Sequence, residues 1–557
     1  MSKKGILWLL VAIALGAGIY YFWKSNTPIS ELAEIAIEDG DHQLRDELRP
    51  AKGGTRLLVF AFDGVGAEEL HKAIDSGYAA RIARLLGKKQ DGGLYQNGYS
   101  VQNALSILPS TTMAAWSSIY SGKPPAETGV PGNEWFAREE MKFYAPAPVS
   151  FAQNKHTLKM LNDGLVGNAI KVPTIFEMLN LRSYVSLAPI YRGADIFTTP
   201  KPTALAEVFL AVARGVTSDE TMGQEAYKEI DDESVVKLLE NIEKNGAADV
   251  QVVYFPGIDL YSHIAEYPLE QQEEYFKNVL DSSIGKILDV YEKKGILEET
   301  YVMFIADHGH TPVLNDDRHA LSSEGGHEPP DLLKKLGWRM RPFELDPVAE
   351  DYQATVAYQG AMAFVYLADR SSCPDKNQKC DWKRAPRFKE DVLPLAEAFY
   401  KANMTGEGIP EMKGTLDLIF TREPKPVGEP ALPFKIFDGK KLVPIGEFLK
   451  KNPRPDLLNL EERMNGLSAG PYGHRAGDIL LLSKSGLERP IEDRYYFSAP
   501  YHSWHGSPTK QDSHVPIVIA KKGGSGQEIK AMVAEVAGHN PSQLDIVPII
   551  RRIFKKK

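Results

Sequence analysis

The chain has 557 residues, a formal net charge of −9 at neutral pH, and apolar and charged fractions of 43% and 25%, those of an ordinary globular protein. That length holds a large core with insertions, or several domains. The acidic balance excludes a general nucleic-acid binder, which needs a basic face, and the basic end "RRIFKKK" reads as a solvated tail.

Residues 1–24 read as a membrane anchor or signal segment. After Lys3 and Lys4, the stretch Gly5 to Trp23 carries no charge, and Lys24 follows. At about 1.5 Å per residue it spans roughly 28 Å, enough to cross a bilayer core. The paired lysines place the amino end in the cytoplasm and the rest in the periplasm or outside the cell. The small residues of "AIALGAG" make a cleaved signal peptide the competing reading. The apolar run continues through "IYYFW", whose aromatics suit a membrane interface, and this favours a retained anchor. Residues 25–54 are polar and read as a linker.

Three continuous apolar runs follow, each closed by an aspartate: "TRLLVFAFDG" at Asp63, "VQVVYFPGID" at Asp259 and "YVMFIADHG" at Asp307. A fourth, less clean, is "HVPIVIA". Runs too short for a helix and stopped by turn residues read as buried strands of a parallel sheet. Helical patterns at about 232–245 and 269–294 alternate with them, which predicts an α/β fold with helices on both faces of the sheet. Between about 313 and 470 proline and charge rise and strand-like runs thin out. This predicts a core over 55–325, a cap or insertion over 326–470, and a second part of the core over 471–557, resuming with "RAGDILLLS". The only cysteines, Cys373 and Cys380, stand close together in a polar loop and read as a disulfide of an exported chain.

Ligands of open α/β sheets bind beyond the carboxyl ends of the strands, so Asp63, Asp259 and Asp307 should converge there. His263 follows Asp259 by four residues, one helical turn. His308 adjoins Asp307, and His505 precedes the last core strand. Taken singly, each of these is a turn, a cap or a structural histidine. Together they form a carboxylate and imidazole set suited to Zn²⁺ and similar ions. The stretch "PSTTMAAWSSIYSG" reads as a helix from Thr112 to a glycine stop at Gly122. A threonine there is ordinarily a cap. Beside metal ions and at the positive end of a helix, it becomes a nucleophile instead.

These motifs resemble the alkaline phosphatase superfamily, in its type I phosphodiesterase/nucleotide pyrophosphatase and phosphonoacetate hydrolase branch, over roughly 55–325 and 471–557. Pro109, Thr112, Gly122 and "PPAETGVPGN" fit the branch's nucleophile motif and select Thr112 over Thr111 and Ser110. The resemblance implies an alkaline-phosphatase-like, mostly parallel sheet with a cap. It also implies a pair of zinc ions, one held by Asp63, Thr112, Asp307 and His308, the other by Asp259, His263 and His505. Asn133 would donate to a phosphate oxygen. Three positions depart from the branch. Thr128 replaces a histidine, and Met113 replaces an aromatic residue that would meet a nucleobase. Ile190 and Arg192 stand where monoesterases use Lys and Arg to grip phosphate, leaving Arg192 alone for that role. No Cys-x-Pro-x-Arg sulfatase motif occurs. The expected activity is therefore hydrolysis of phosphodiesters, or related phosphate and phosphonate esters, through a covalent Thr112 intermediate. Its rivals are a phosphomonoesterase, a phosphoryl transferase and a non-catalytic binding protein. His310, His319, His327 and His474 read as polar surface, and His514 as orienting a neighbour. Trp116 and Trp135 read as pocket lining or core. No feature bears on oligomeric state.

The anchor has a direct test. A retained segment keeps the protein in the membrane pellet through a high-salt wash, whereas a soluble mature chain starting near Gly18 would mark cleavage.

Overall fold

The computed structural model describes residues 41–147, 149, 163–200, 220–321, 328–342, 348–538 and 540–555. The expected anchor and the start of the linker lie outside them. Among the described residues no helix is long and apolar enough to cross a membrane.

The apolar runs become strands. In chain order the first are β1 (Asp41–Gln43), β2 (Arg56–Phe62), β3 (Gly98–Ser100), β4 (Ser183–Ser186), β5 (Ile196–Thr198), β6 (Val250–Phe255) and β7 (Thr300–Ala306). Next come β8 (Ala354–Tyr358), β9 (Met362–Leu367), β10 (Leu416–Thr421), β11 (Lys435–Phe437), β12 (Leu442–Pro444) and β13 (Ile479–Ser483). The last is β14 (Ile517–Lys521). The central sheet has eight strands in the order β1-β5-β4-β6-β2-β7-β14-β3. Pairs from β5 through β7 are parallel, while β1, β14 and β3 join antiparallel.

Helices cover both faces, and alternation along β6 decides which side chain meets which layer. The helices used below are α1 (Thr112–Ser121), α2 (Glu220–Asn245), α3 (Gly257–Ile264), α4 (Asp281–Lys293) and α5 (Ile546–Ile553). On one face Phe60 and Phe62 of β2 stack with Phe255 and Phe304, and Phe62 meets Phe276 edge-on just before α4. Helix α2 packs on this side, against α4 and β6. On the other face Tyr254 meets Trp116 of α1, edge-on at 5.5 Å, and α5 packs behind α1.

The cap is itself a sheet. Its six antiparallel strands run β8-β9-β13-β10-β11-β12 and are buried on both sides. Val365, Ile479 and Leu481 face one apolar cluster, while Phe364, Leu480 and Leu482 face the other. The stretch expected to resume the core at 471 begins with a strand of this sheet. The run "ILLLS" is β13, held between β9 and β10 in the middle of the cap. Burial on both faces gives an antiparallel strand the same unbroken apolar signature as a parallel core strand. Cys373 and Cys380 form a disulfide, as their spacing suggested.

One buried ion pair fastens the cap to the core. Arg138, in the loop after the Trp135–Ala137 strand, donates to Asp478 at 2.7 Å, and the Leu367 N–H bonds the same carboxylate at 2.9 Å. Removing one partner of a buried pair strands the other charge. Asp478→Ala should therefore destabilise the fold by about 3–5 kcal/mol in chemical denaturation, and a joint Arg138→Met, Asp478→Leu replacement should cost much less.

Candidate active site

Register builds the site. Phe62, the last residue of β2, lies opposite both Phe255 of β6 and Ala306 of β7. Three neighbouring strands thus leave the sheet at one level, and Asp63 and Asp307 emerge side by side. The Asp307 carboxylate accepts from the N–H groups of Gly64 and His308, each at 3.0 Å. Helix α3 begins just after β6 and carries Asp259 and His263 one turn apart on one face. The Ser503–Trp504 strand, paired with Thr311–Pro312, brings in His505.

The ligand atoms gather into overlapping groups, each within 4.8 Å: Asp63, Asp307 and His308; Asp259, His263 and His505; and Asp259, His308 and His310. His308 Nε2 lies 3.4 Å from both Asp63 Oδ1 and Asp307 Oδ2. The Thr112 hydroxyl, on the first residue of α1, is 3.3 Å from the same nitrogen. His263 Nε2 is 3.5 Å, and His505 Nε2 3.9 Å, from the Asp259 carboxylate. The rings of His308 and His505 stack at 3.6 Å and so connect the two sets.

The imidazoles are aimed from behind. Nδ1 of His263 donates to the Ser503 carbonyl, that of His505 to the Ser110 carbonyl and that of His308 to the Gly309 carbonyl, at 2.7, 3.0 and 3.1 Å. A carbonyl only accepts, so each neutral ring carries its proton on Nδ1 and turns a bare Nε2 lone pair towards carboxylate oxygens. Asp63 Oδ1 and Asp307 Oδ2 are buried without a hydrogen-bond partner. Lone pairs facing lone pairs in a buried cluster are the donor arrangement a divalent cation completes. Without a cation the cluster takes up protons. Burial, and then the neighbouring Asp63, push the Asp307 carboxyl well above the usual range. Burial opposes charge on His308, yet Asp307 and Asp63 beside it hold the imidazole up to about 10.

Helix α1 is capped in an unexpected way. Thr111 occupies the cap position, but its side chain makes no capping bond and its hydroxyl is buried without a partner. Asn133 supplies the cap instead, its Oδ1 accepting from the Met113 N–H at 2.9 Å. That fixes the amide, with Nδ2 as the donor left for a ligand. The Tyr254 hydroxyl, reaching up from the sheet, donates to Asp63 Oδ2.

Two sequence expectations change. Arg192, expected on a phosphate oxygen, stands apart from this group. Its guanidinium donates to the carbonyls of Gly167, Ile170 and Val172 and pairs with Glu177 at 3.0 Å. The reason is topological: β4 and β5 are parallel, so the loop carrying Arg192 must return to the amino-terminal edge, where Asp195 N–H bonds Ser183 at the start of β4. His310, read as surface, is buried in the site, with Nε2 2.8 Å from Asp259 Oδ1 and Nδ1 3.0 Å from the Ser503 hydroxyl. The i, i+2 spacing in "ADHGH" was the available signal, because extended chain brings such residues to one side. The remaining candidates are structural. Trp116 and Trp135 are fully buried, Thr128 bonds its own turn, His319 pairs with Asp316 and His474 with Glu139. His514 pairs in a bridge with Leu105 outside the ligand groups, and His327 lies outside the described residues.

Gly64 leaves room for this packing. It has φ +68°, and a Cβ there would stand 2.5 Å from His310 Nε2 and 2.7 Å from Asp259 Oδ1. Gly64→Ala should give a folded protein with reduced metal content by elemental analysis, whereas Gly77→Ala, in open space at a similar φ, should bind metal normally.

The family model for type I phosphodiesterase/nucleotide pyrophosphatase matches residues 57–379, more than half of the chain. No curated protein matched by sequence. Among solved structures, murine ectonucleotide pyrophosphatase/phosphodiesterase 5 aligns with a TM-score of 0.49 at 11% identity, over 90% of this chain and 96% of its own. An inactive form of the murine protein in complex with AMP aligns at 0.48 and 10% identity, with the same coverage. The human protein aligns at 0.48 and 12%, again over 90% and 96%. This chain belongs to the type I phosphodiesterase/nucleotide pyrophosphatase family.

Proposed function

We propose that this chain is a metal-dependent phosphohydrolase that cleaves phosphodiesters or related phosphate and phosphonate esters through a covalent Thr112 intermediate. The observation that carries the reading is the Thr112 hydroxyl at the start of α1, 3.3 Å from His308 Nε2 and beside both buried ligand groups. Asp63, Thr112, Asp307 and His308 would hold one zinc ion, and Asp259, His263 and His505 the other. Bound there, the ions would lower the pKa of the threonine hydroxyl and neutralise charge on phosphate oxygens.

The chain's own groups do the rest. The Thr112 hydroxyl gives up its proton and its Oγ1–phosphorus bond forms as the ester P–O bond breaks, and the alcohol fragment leaves with the electron pair of that bond and takes up a proton. Water then cleaves the phosphothreonine and restores the hydroxyl. Asn133 Nδ2 donates to a non-bridging oxygen throughout, and the amino end of α1 favours its negative charge. A monoester dianion would need a further cation. Ile190 is buried in the core and Arg192 is occupied elsewhere, which supports a preference for diesters and phosphonates. The uncharged Gly5–Trp23 segment would tether the protein, and the Cys373–Cys380 disulfide suits an oxidising compartment outside the cytoplasm.

Thr112→Ala should lower turnover of an aryl phosphodiester by a factor on the order of 10³ or more, while Thr111→Ala stays within about threefold. The reverse order of losses would defeat this reading. Elemental analysis should find about two zinc ions per chain, and activity lost to chelation should return with zinc.

A further inference from the structure

The cap sheet reaches the phosphate donor directly. Gln359 sits in the turn between β8 and β9 and is fully buried. Its Oε1 accepts from the Asn133 backbone N–H at 2.6 Å, and its Nε2 donates to the Glu134 carbonyl. The partners leave no ambiguity in the amide's orientation, since an N–H needs the oxygen and a carbonyl needs the nitrogen. The grip is reciprocal. The Glu134 carboxylate accepts from the Tyr358 N–H at 3.1 Å and from the Val149 N–H at 2.6 Å.

The same turn touches a metal-ligand residue. The Ala361 N–H donates to the His505 carbonyl at 2.9 Å. There is no slack in the contact. A Cβ on Gly132 would stand 1.9 Å from Gln359 Oε1, and one on Gly360 2.1 Å from the His505 carbonyl. A Cβ on Gly506 would likewise stand 2.1 Å from the Gln359 carbonyl. A chain of direct contacts therefore runs from the cap turn through Gln359 to the Asn133 backbone, and through Asn133 Oδ1 to the first turn of the nucleophile helix.

We propose that Gln359 is a positioning residue for the reaction: it fixes the Asn133 backbone so that the side-chain amide caps α1 and aims Nδ2 at the phosphate. The cap thereby supplies part of the phosphate-binding geometry. The inference rests on the phosphohydrolase reading above. A side chain that only fills space would affect stability and leave the phosphate contact untouched.

Gln359→Met keeps the side chain's length and apolar stem and removes both hydrogen bonds. In the full-length, metal-loaded protein with bis(p-nitrophenyl) phosphate, it should lower kcat/KM about tenfold and weaken inhibition by inorganic phosphate by a similar factor, with metal content unchanged. Gln359→Glu keeps the acceptor for Asn133 and, protonated by its burial, the donor to Glu134, so it should recover most of the turnover. With Asn133→Ala already present, Gln359→Met should cost less than about twofold more, because nothing remains to be positioned. Independent losses that multiply in the double variant would overturn the proposal, as would undiminished phosphate inhibition in Gln359→Met. If that variant fails to fold, Gln359→Glu alone decides, and turnover by it as low as that of Asn133→Ala overturns the proposal. Full turnover by Thr112→Ala and Asn133→Ala would be a different result, removing the phosphohydrolase reading and this proposal with it.

Discussion

Everything around the site answers to the burial of three carboxylates without a permanent cation beside them. Among the described residues every ion-pair partner of Asp63, Asp259 and Asp307 is a histidine. Histidine carries a charge only by taking a proton, and burial discourages that: His310 is pushed down to about 4, and His505 well below its ordinary range. Such a cluster is costly as it stands and favourable around divalent ions. The backbone carbonyls of Ser110, Gly309 and Ser503 serve the same end, since each fixes an imidazole proton on the outer nitrogen.

The sheet meets this constraint through register. Because β2 pairs in parallel with both β6 and β7, their chain exits share one edge, and short connections deliver carboxylates there. Covering helices then act on the site from either face. Tyr254 touches both Trp116 and Asp63, linking the packing of α1 to a carboxylate of the cluster.

Much of this was legible in the sequence, for a physical reason. Buried parallel strands must be apolar along their whole length, and the residue ending each must leave the sheet at the ligand edge. The aspartates after β2 and β7, and Asp259 a helical turn beyond β6, were therefore readable from "VFAFDG", "FIADHG" and "YFPGID". The end of α1 was readable too, because Gly122 stops it in a left-handed conformation. The cap was not. Its strands β11 and β12 are short, and β13 carries the same unbroken apolar run as the core. Only pairing partners tell the two apart, and pairing is not local. Arg192 was misplaced for a related reason, since motif spacing said nothing of which edge the β4–β5 loop returns to. Gln359 escaped because a lone glutamine has no signal of its own until tertiary contacts surround it.

The residues of the cluster are drawn from almost the whole length of the chain, from Asp63 to His505, and the sheet partner of β3 is β14, near the chain's end. During synthesis the amino-terminal half is made first and contains Asp63, Thr112, Asp259 and His263, which complete neither set. His505 must emerge before the last ligand group can close. Completion of the group that contains His505 is thus a late event in biogenesis. Pairings between distant segments form slowly, so a nascent chain carries exposed apolar strand edges for most of its time on the ribosome. Fragments ending before His505 would lack both the finished sheet and one member of the second group, so partly made copies would not hold the whole cluster.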